Sequence, residues 1–284
     1  MTEESTARRR VLGSELRASR KARRFTGSEL ARRADVPQSQ VSRWENGFRE
    51  MSTIEAAIYL ASCGTIGPER DRLLALTRPP SDLYWVQPYF DRLVDPMKSL
   101  IIQENLASSI IKFEPVVIPG LIQIEPYARA LFEDDGRHAS NRIDFLVAAR
   151  LNRQKLLHRK EPPHCTFFVH ERALRSVVNG PETMHGQVLH LLLCDNLPHC
   201  AVRVVPESSR VHRTLGTAFA IMDFADQPAV VMADSYAAML FIDDRVAVDA
   251  YSLLAERLGR AALGEAQSRE MLSRLAGEYQ RMED

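Results

Sequence analysis

TGSELARRADVPQSQVSRWENG, residues 26–47, decides how the chain is read. Thr26 and Glu29 stand at the Thr-x-x-Glu spacing of a capping box, in which each residue satisfies the other's free backbone amide at a helix start. Leu30, Ala31 and Ala34 follow as a small apolar face suited to close helix packing. Asp35-Val36-Pro37 breaks that helix. A second helix is expected over residues 38–45, with Val41 and Trp44 on its inner side and Gln38, Ser39, Ser42 and Arg43 outward. Asn46-Gly47 ends it, because glycine takes the left-handed position after a helix without strain. The local structure expected is helix, tight turn, helix.

The flanks extend this pattern. Upstream, RRRVLGSELRASRKARR over residues 8–24 places Val11, Leu12 and Leu16 at helical spacing among arginines, a basic amphipathic helix. Its charged side is read either as a solvated face or as a phosphate-binding one. Downstream, Ser52-Thr53-Ile54-Glu55 repeats the capping box for a fourth helix carrying Ile54, Ala57, Ile58 and Ala61. Pro68 stands where a fifth begins, with Leu73, Leu74 and Leu76 as its core. Five short helices make an all-α helix-turn-helix domain over residues 1–77.

Charge narrows what such a domain meets. The 284 residues have a formal net charge of zero, yet residues 8–49 hold 12 basic side chains against four acidic ones, a local net of +8. The positive charge is therefore concentrated on the first domain and points to a polyanion, of which nucleic acid is the commonest. The outward residues of 38–45 suit that partner. A helix in the major groove needs side chains that donate and accept at base edges, and arginine forks onto guanine as glutamine does onto adenine.

With Leu30-Ala31, the turn at Val36, a β-branched residue at Val41 and Glu45-Asn46-Gly47, residues 10–64 resemble the phage-repressor-like (XRE) helix-turn-helix family. The resemblance implies double-stranded DNA as the partner, with base reading by Gln38, Ser39 and Arg43. It places a phosphate contact on Asn46, and Arg23, Arg24 and Ser42 are expected to contact phosphate beside it. One position departs from the pattern. The family usually has a phosphate-contacting glutamine directly after the threonine that opens the second helix, where this chain has Gly27. Either another arginine supplies that anchor or affinity is lower.

Arg78-Pro79-Pro80-Ser81-Asp82 marks a break, so residues 78–98 are read as a linker and 99–284 as a second domain. Tyr84, Trp85 and Tyr89 are read as interdomain packing. Strands are expected at 108–113 and 165–171, then at 201–206, 217–224, 229–234 and 237–243. Helices are expected at 125–132, 141–158, 173–178, 182–194 and over most of 246–276. This is an α+β domain with an antiparallel sheet. Tyr127 and Arg129 follow the Pro119-Gly120 turn, while Arg150, Arg153 and Gln154 share nearby turns of one helix. They form either polar packing or a surface for a partner or ligand, where arginine and tyrosine are favoured. The segment Pro119-Gly120-Leu121-x-Gln123-x-x-x-Tyr127-Ala128-Arg129, with RLNRQKLL and HERALRSVV, resembles the C-terminal domain of unknown function of WhiJ-like actinobacterial regulators over about 100–272. That resemblance implies an antitoxin-like or developmental regulator binding a small protein encoded by a neighbouring gene. The usual threonine-acid pair after the glutamine is replaced by Ile124-Glu125.

Four scattered cysteines, Cys63, Cys165, Cys194 and Cys200, argue against a disulfide framework and for a reduced cytoplasmic protein. No apolar run is long enough for a membrane span. No nucleophile elbow, phosphate loop or dinucleotide fingerprint occurs, so no enzyme and no cofactor are expected. His190, Cys194, His199 and Cys200 lack a C-x-x-C knuckle and are read without metal. The expected function is a sequence-specific DNA-binding transcription regulator, nucleoid-associated when bound, whose second domain dimerises the chain or binds the small protein. An antitoxin-like protein-binding module with secondary DNA binding and a small-molecule-sensing repressor remain alternatives.

Overall fold

The computed structural model of the chain describes residues 5–77, 84–89, 95–136, 139–209 and 218–283. The break expected at residues 78–82 lies outside them. Two compact units emerge, Met1–Ala107 with Met222–Val248, and Ser108–Ile221 with Asp249–Asp284. The described strands are β1 (Tyr84–Pro88), β2 (Ser109–Glu114), β3 (His164–His170), β4 (Cys200–Val205), β5 (Phe219–Asp223), β6 (Val230–Asp234) and β7 (Ala238–Ile242).

The first unit opens with five helices, α1 (Ala7–Ala22), α2 (Gly27–Ala34), α3 (Gln38–Glu45), α4 (Thr53–Ser62) and α5 (Gly67–Ala75). Both expected capping boxes form, Thr26 with Glu29 and Ser52 with Glu55. Thr6 caps α1 by accepting from the Arg9 amide. Val11, Leu12, Leu16, Leu30, Val41, Trp44, Tyr59, Leu60 and Leu73 build one core. Close approach makes it possible at Gly13, where a Cβ would lie 2.5 Å from the Trp44 carbonyl oxygen. The face of α4 needs correction. Ile54 is 74 % exposed and Ile58 45 %, and Ala56, Tyr59 and Leu60 turn inward instead. Both sets have helical spacing, but only the inward one brings the Tyr59 hydroxyl to a buried acceptor, the Glu45 carboxylate.

The same unit contains α6 (Pro96–Leu106) and an antiparallel ladder in which β7 pairs with both β1 and β6. Trp85 packs on Phe241 with ring centroids 5.3 Å apart, and the Tyr89 hydroxyl donates to Asp234 at 2.6 Å. Residues 84–88, expected within a linker, are thus a strand of this unit.

The second unit comprises β2, α7 (Glu125–Asp134), α8 (Ser140–Gln154), β3, α9 (Glu171–Arg175), α10 (Pro181–Asp195), β4, α11 (Arg245–Ala261) and α12 (Glu265–Glu283). Here β3 pairs in parallel with both β2 and β4. The strands are therefore mixed in direction, not antiparallel throughout. The cause is visible in the chain: helices α7 and α8 separate β2 from β3, and α9 and α10 separate β3 from β4, the crossover that parallel neighbours require. Phe167 to His170 are buried without alternation, as a strand covered on both faces demands.

Candidate nucleic-acid interface

Helices α2 and α3 meet across a turn in which Asp35 adopts the left-handed region, φ 53°, and the Val36 amide donates to the Ala31 carbonyl. Val41 and Trp44 are 1 % and 3 % exposed, which fixes the rotation of α3 and turns Gln38, Ser39, Ser42 and Arg43 to solvent. The three expected base readers therefore share one exposed face. Gln40, between them, is half-buried and donates to Glu55.

The C-terminal end of α3 is held by an ion cluster. Glu45 is buried, accepts from Arg20 Nε and Nη2 at 2.6 and 2.7 Å, and accepts from Arg17 Nε at 3.1 Å. Tyr59 adds a hydroxyl donor at 2.7 Å. Burial alone would raise the Glu45 carboxyl, but the Arg20, Tyr59 and Arg17 hydrogen bonds outweigh it and hold the group below the ordinary carboxylate range. The next residue, Asn46, donates to the Ser42 carbonyl and accepts from Arg17 Nη2 at 2.6 Å. Its side-chain amide is thereby held in one orientation.

The expected basic helix face is largely spent inside the protein. Arg8 and Arg10 are buried, Arg9 pairs with Glu50, and Arg17 and Arg20 serve Glu45. Arg23 donates to the carbonyls of Cys63 and Gly64 at the end of α4, so part of its donor set is committed there. Lys21, Arg24, Arg32 and Arg43 are exposed and lie outside every ion pair among the described residues. Gly27 has space for a side chain: a Cβ there would meet only Gln38 Nε2, at 3.9 Å.

In the second unit the five surface candidates separate. Tyr127 is buried, and its hydroxyl accepts from the Ile118 amide at 3.1 Å, so it packs the turn and presents no surface. Gln154 donates to the Gly120 and Gln123 carbonyls, and Arg150 donates to Gln123 and stacks over Phe132 at 4.8 Å. Arg153 flanks the same turn, with Nη2 3.1 Å from where a Gly120 Cβ would stand. Arg129, half-buried, pairs with the exposed carboxylates of Glu125 and Asp144. Gln123, named in the sequence only as part of a motif, and Gln187, which sequence reasoning overlooked, are both buried: Gln123 donates to the Ile118 carbonyl, and Gln187 ties α10 to this turn through the Ile124 amide and the Ile122 carbonyl. The signal was a glutamine amid apolar neighbours on each side. Of the residues weighed as zinc ligands, Cys194 Sγ lies 3.5 Å from His190 Nε2, while His199 Nε2 contacts the Leu157 carbonyl.

Among the described residues no helix is long and apolar enough to cross a membrane. The family model described as "Helix-turn-helix domain" matches residues 11–73, and the one described as "Domain of unknown function (DUF5753)" matches residues 97–274. No curated protein matches the chain.

Proposed function

Because the chain belongs to the DUF5753 family and carries a helix-turn-helix domain ahead of the domain that defines it, we propose that it is a sequence-specific DNA-binding transcription regulator of the cytoplasm. Its first domain is of the XRE type and its second is WhiJ-like and antitoxin-like. The observation that carries the reading is the joint exposure of Gln38, Ser39 and Arg43 on a helix whose opposite side is packed and whose end is clamped by Glu45. Such a helix keeps its side chains at fixed spacing while they contact base edges. Lys21, Arg24, Arg32 and Asn46 supply phosphate contacts around it. The second domain dimerises the chain or holds a small partner protein, since one module of this size buries limited DNA surface and two half-sites multiply the affinity.

The experiment is enrichment of duplexes from a random-sequence pool by the full chain, followed by titration of the enriched duplex with Arg43→Ala. A loss of about 1–3 kcal/mol confined to the enriched sequence supports the reading. Equal binding of enriched and scrambled duplexes by both proteins overturns it, and sedimentation that finds a monomer free and on DNA removes the dimer.

A further inference from the structure

Arg10 is 2 % exposed, on the first turns of α1, and among the described residues every hydrogen-bond acceptor it reaches is neutral. Nε donates to Gln103 Oε1 at 3.0 Å, and Nη1 donates to the Ser5 carbonyl at 2.9 Å and to Gln227 Oε1 at 3.2 Å. The guanidinium stacks on Phe224, 4.4 Å from the ring centroid, and Nη2 is buried with no acceptor among the described residues. Burial pushes its pKa down to about 10, with Asp243 pulling the other way. A buried cation on neutral acceptors costs several kcal/mol of solvation, which raises the question of a second role.

Gln227 supplies one. While Oε1 accepts from Arg10, Nε2 donates to the Asn46 carbonyl at 3.1 Å, on the residue that follows α3. The amide cannot be reversed, since reversal would set its NH2 group against a guanidinium and its oxygen against a carbonyl. Gly47 completes the junction with φ 72°, where a Cβ would be 3.0 Å from the Arg10 amide nitrogen. Gln103 and Gln227 also flank residues 108–221 in the chain, and both end on the same guanidinium. The segment that returns from the second unit is therefore bonded to the end of the helix that faces DNA.

Resting on the DNA-reading assignment above, we propose that Gln227 is a positioning residue for that function. The Arg10–Gln227 clasp sets the C-terminal end of α3, and a change in the 224–227 segment alters base reading without touching DNA. Glutamate at this position separates the two halves of the clasp, since it still accepts from Arg10 but cannot donate to Asn46.

The test uses Gln227→Glu, with Gln227→Leu as a second variant should the first fail to fold, in the full chain labelled with ¹⁵N at its 13 glycines. Loss of the bond to the Asn46 carbonyl moves the ¹⁵N resonance of Gly47, whose amide belongs to the same peptide group. Discrimination between the enriched and a scrambled duplex falls roughly three- to tenfold, while scrambled-duplex affinity stays within twofold. An unmoved Gly47 resonance overturns the clasp, and a moved resonance with unchanged discrimination reduces it to a structural link and overturns the proposal. If the wild-type chain enriches no duplex, the DNA reading has failed and the proposal falls with it, while the Gly47 resonance still reports whether the clasp exists.

Discussion

Arg20 grips Glu45 with two parallel hydrogen bonds, Nε to Oε1 at 2.6 Å and Nη2 to Oε2 at 2.7 Å, and so ties α1 to the last residue of α3. Side-chain exposure is 13 % for the arginine and 4 % for the glutamate. A bidentate pair this dry orients as well as attracts. Its consequence is positional: the end of the exposed helix is set by groups far from its outward face.

Removing one partner leaves the other charged and partly buried. Glu45→Ala is expected to destabilise the first unit by about 3 kcal/mol, at the low end for a broken buried pair because Arg17 can rehydrate. Urea unfolding measures it. The pH dependence has a definite sign. A carboxyl held below its ordinary value of 4.5 adds stability above its unfolded pKa and loses it as pH falls through the folded one. Glu45→Gln is thus expected to flatten the acid limb of stability below pH 4.5, and an unchanged limb would show that the pair contributes nothing.

Gly13 is where α1 and α3 touch. An alanine Cβ would stand 2.5 Å from the Trp44 carbonyl and 2.7 Å from that of Glu45, both backbone atoms that cannot step aside cheaply. Gly13→Ala is expected to cost about 1–3 kcal/mol through overpacking, despite alanine's better helix propensity. Thermal unfolding monitored by tryptophan fluorescence reads this out, and a rise in Tm would disprove the close contact.

How much of this was legible follows from how local each signal is. The helix at residues 38–45 is legible because the breaker before it, its inner pair Val41 and Trp44, and the Asn46-Gly47 stop after it all lie within one short segment. The α4 face was misread because two sets of small and branched residues share its period, and only the buried Glu45 carboxylate decides between them. Parallel pairing was missed although the helices between strands announced it, since strand order depends on residues far apart in sequence. Gln227 and Asn46 are separated by 181 positions, and no pattern around either one points to the other. The same distance hid the burial of Arg10, which by composition alone counted toward the DNA-facing charge.

His170 offers a pH test in the second unit. Its Nδ1 accepts from the Arg172 amide as a helix cap, and Nε2 is buried without a partner among the described residues. Burial, opposed by Glu207, lowers its pKa from the ordinary 6.5. A base with a depressed folded pKa is favoured neutral, so the fold loses stability as pH falls below 6.5 toward the folded value. His170→Asn keeps a capping acceptor and removes the titration. The urea midpoint between about pH 8 and about pH 5.5 should fall less steeply in the variant than in the parent. Equal slopes would assign the effect elsewhere, with His190, also lowered by burial, the next residue to replace.

Gly27 offers a test on DNA. The related helix-turn-helix pattern puts a phosphate-contacting glutamine after the threonine that opens the second helix, and here the position is empty of side chain but open in space. Its φ is not in the left-handed range, so nothing in the backbone demands glycine. Gly27→Gln adds one donor at the start of α2 without displacing Gln38. Affinity should rise about two- to tenfold for enriched and scrambled duplexes alike, the yield of one net hydrogen bond to phosphate. Because the added donor is neutral, the salt slope should stay as it was, which separates this gain from that of an added charge. A gain restricted to one sequence would mean that residue 27 faces bases, and no gain at all would mean that α2 lies away from the phosphates.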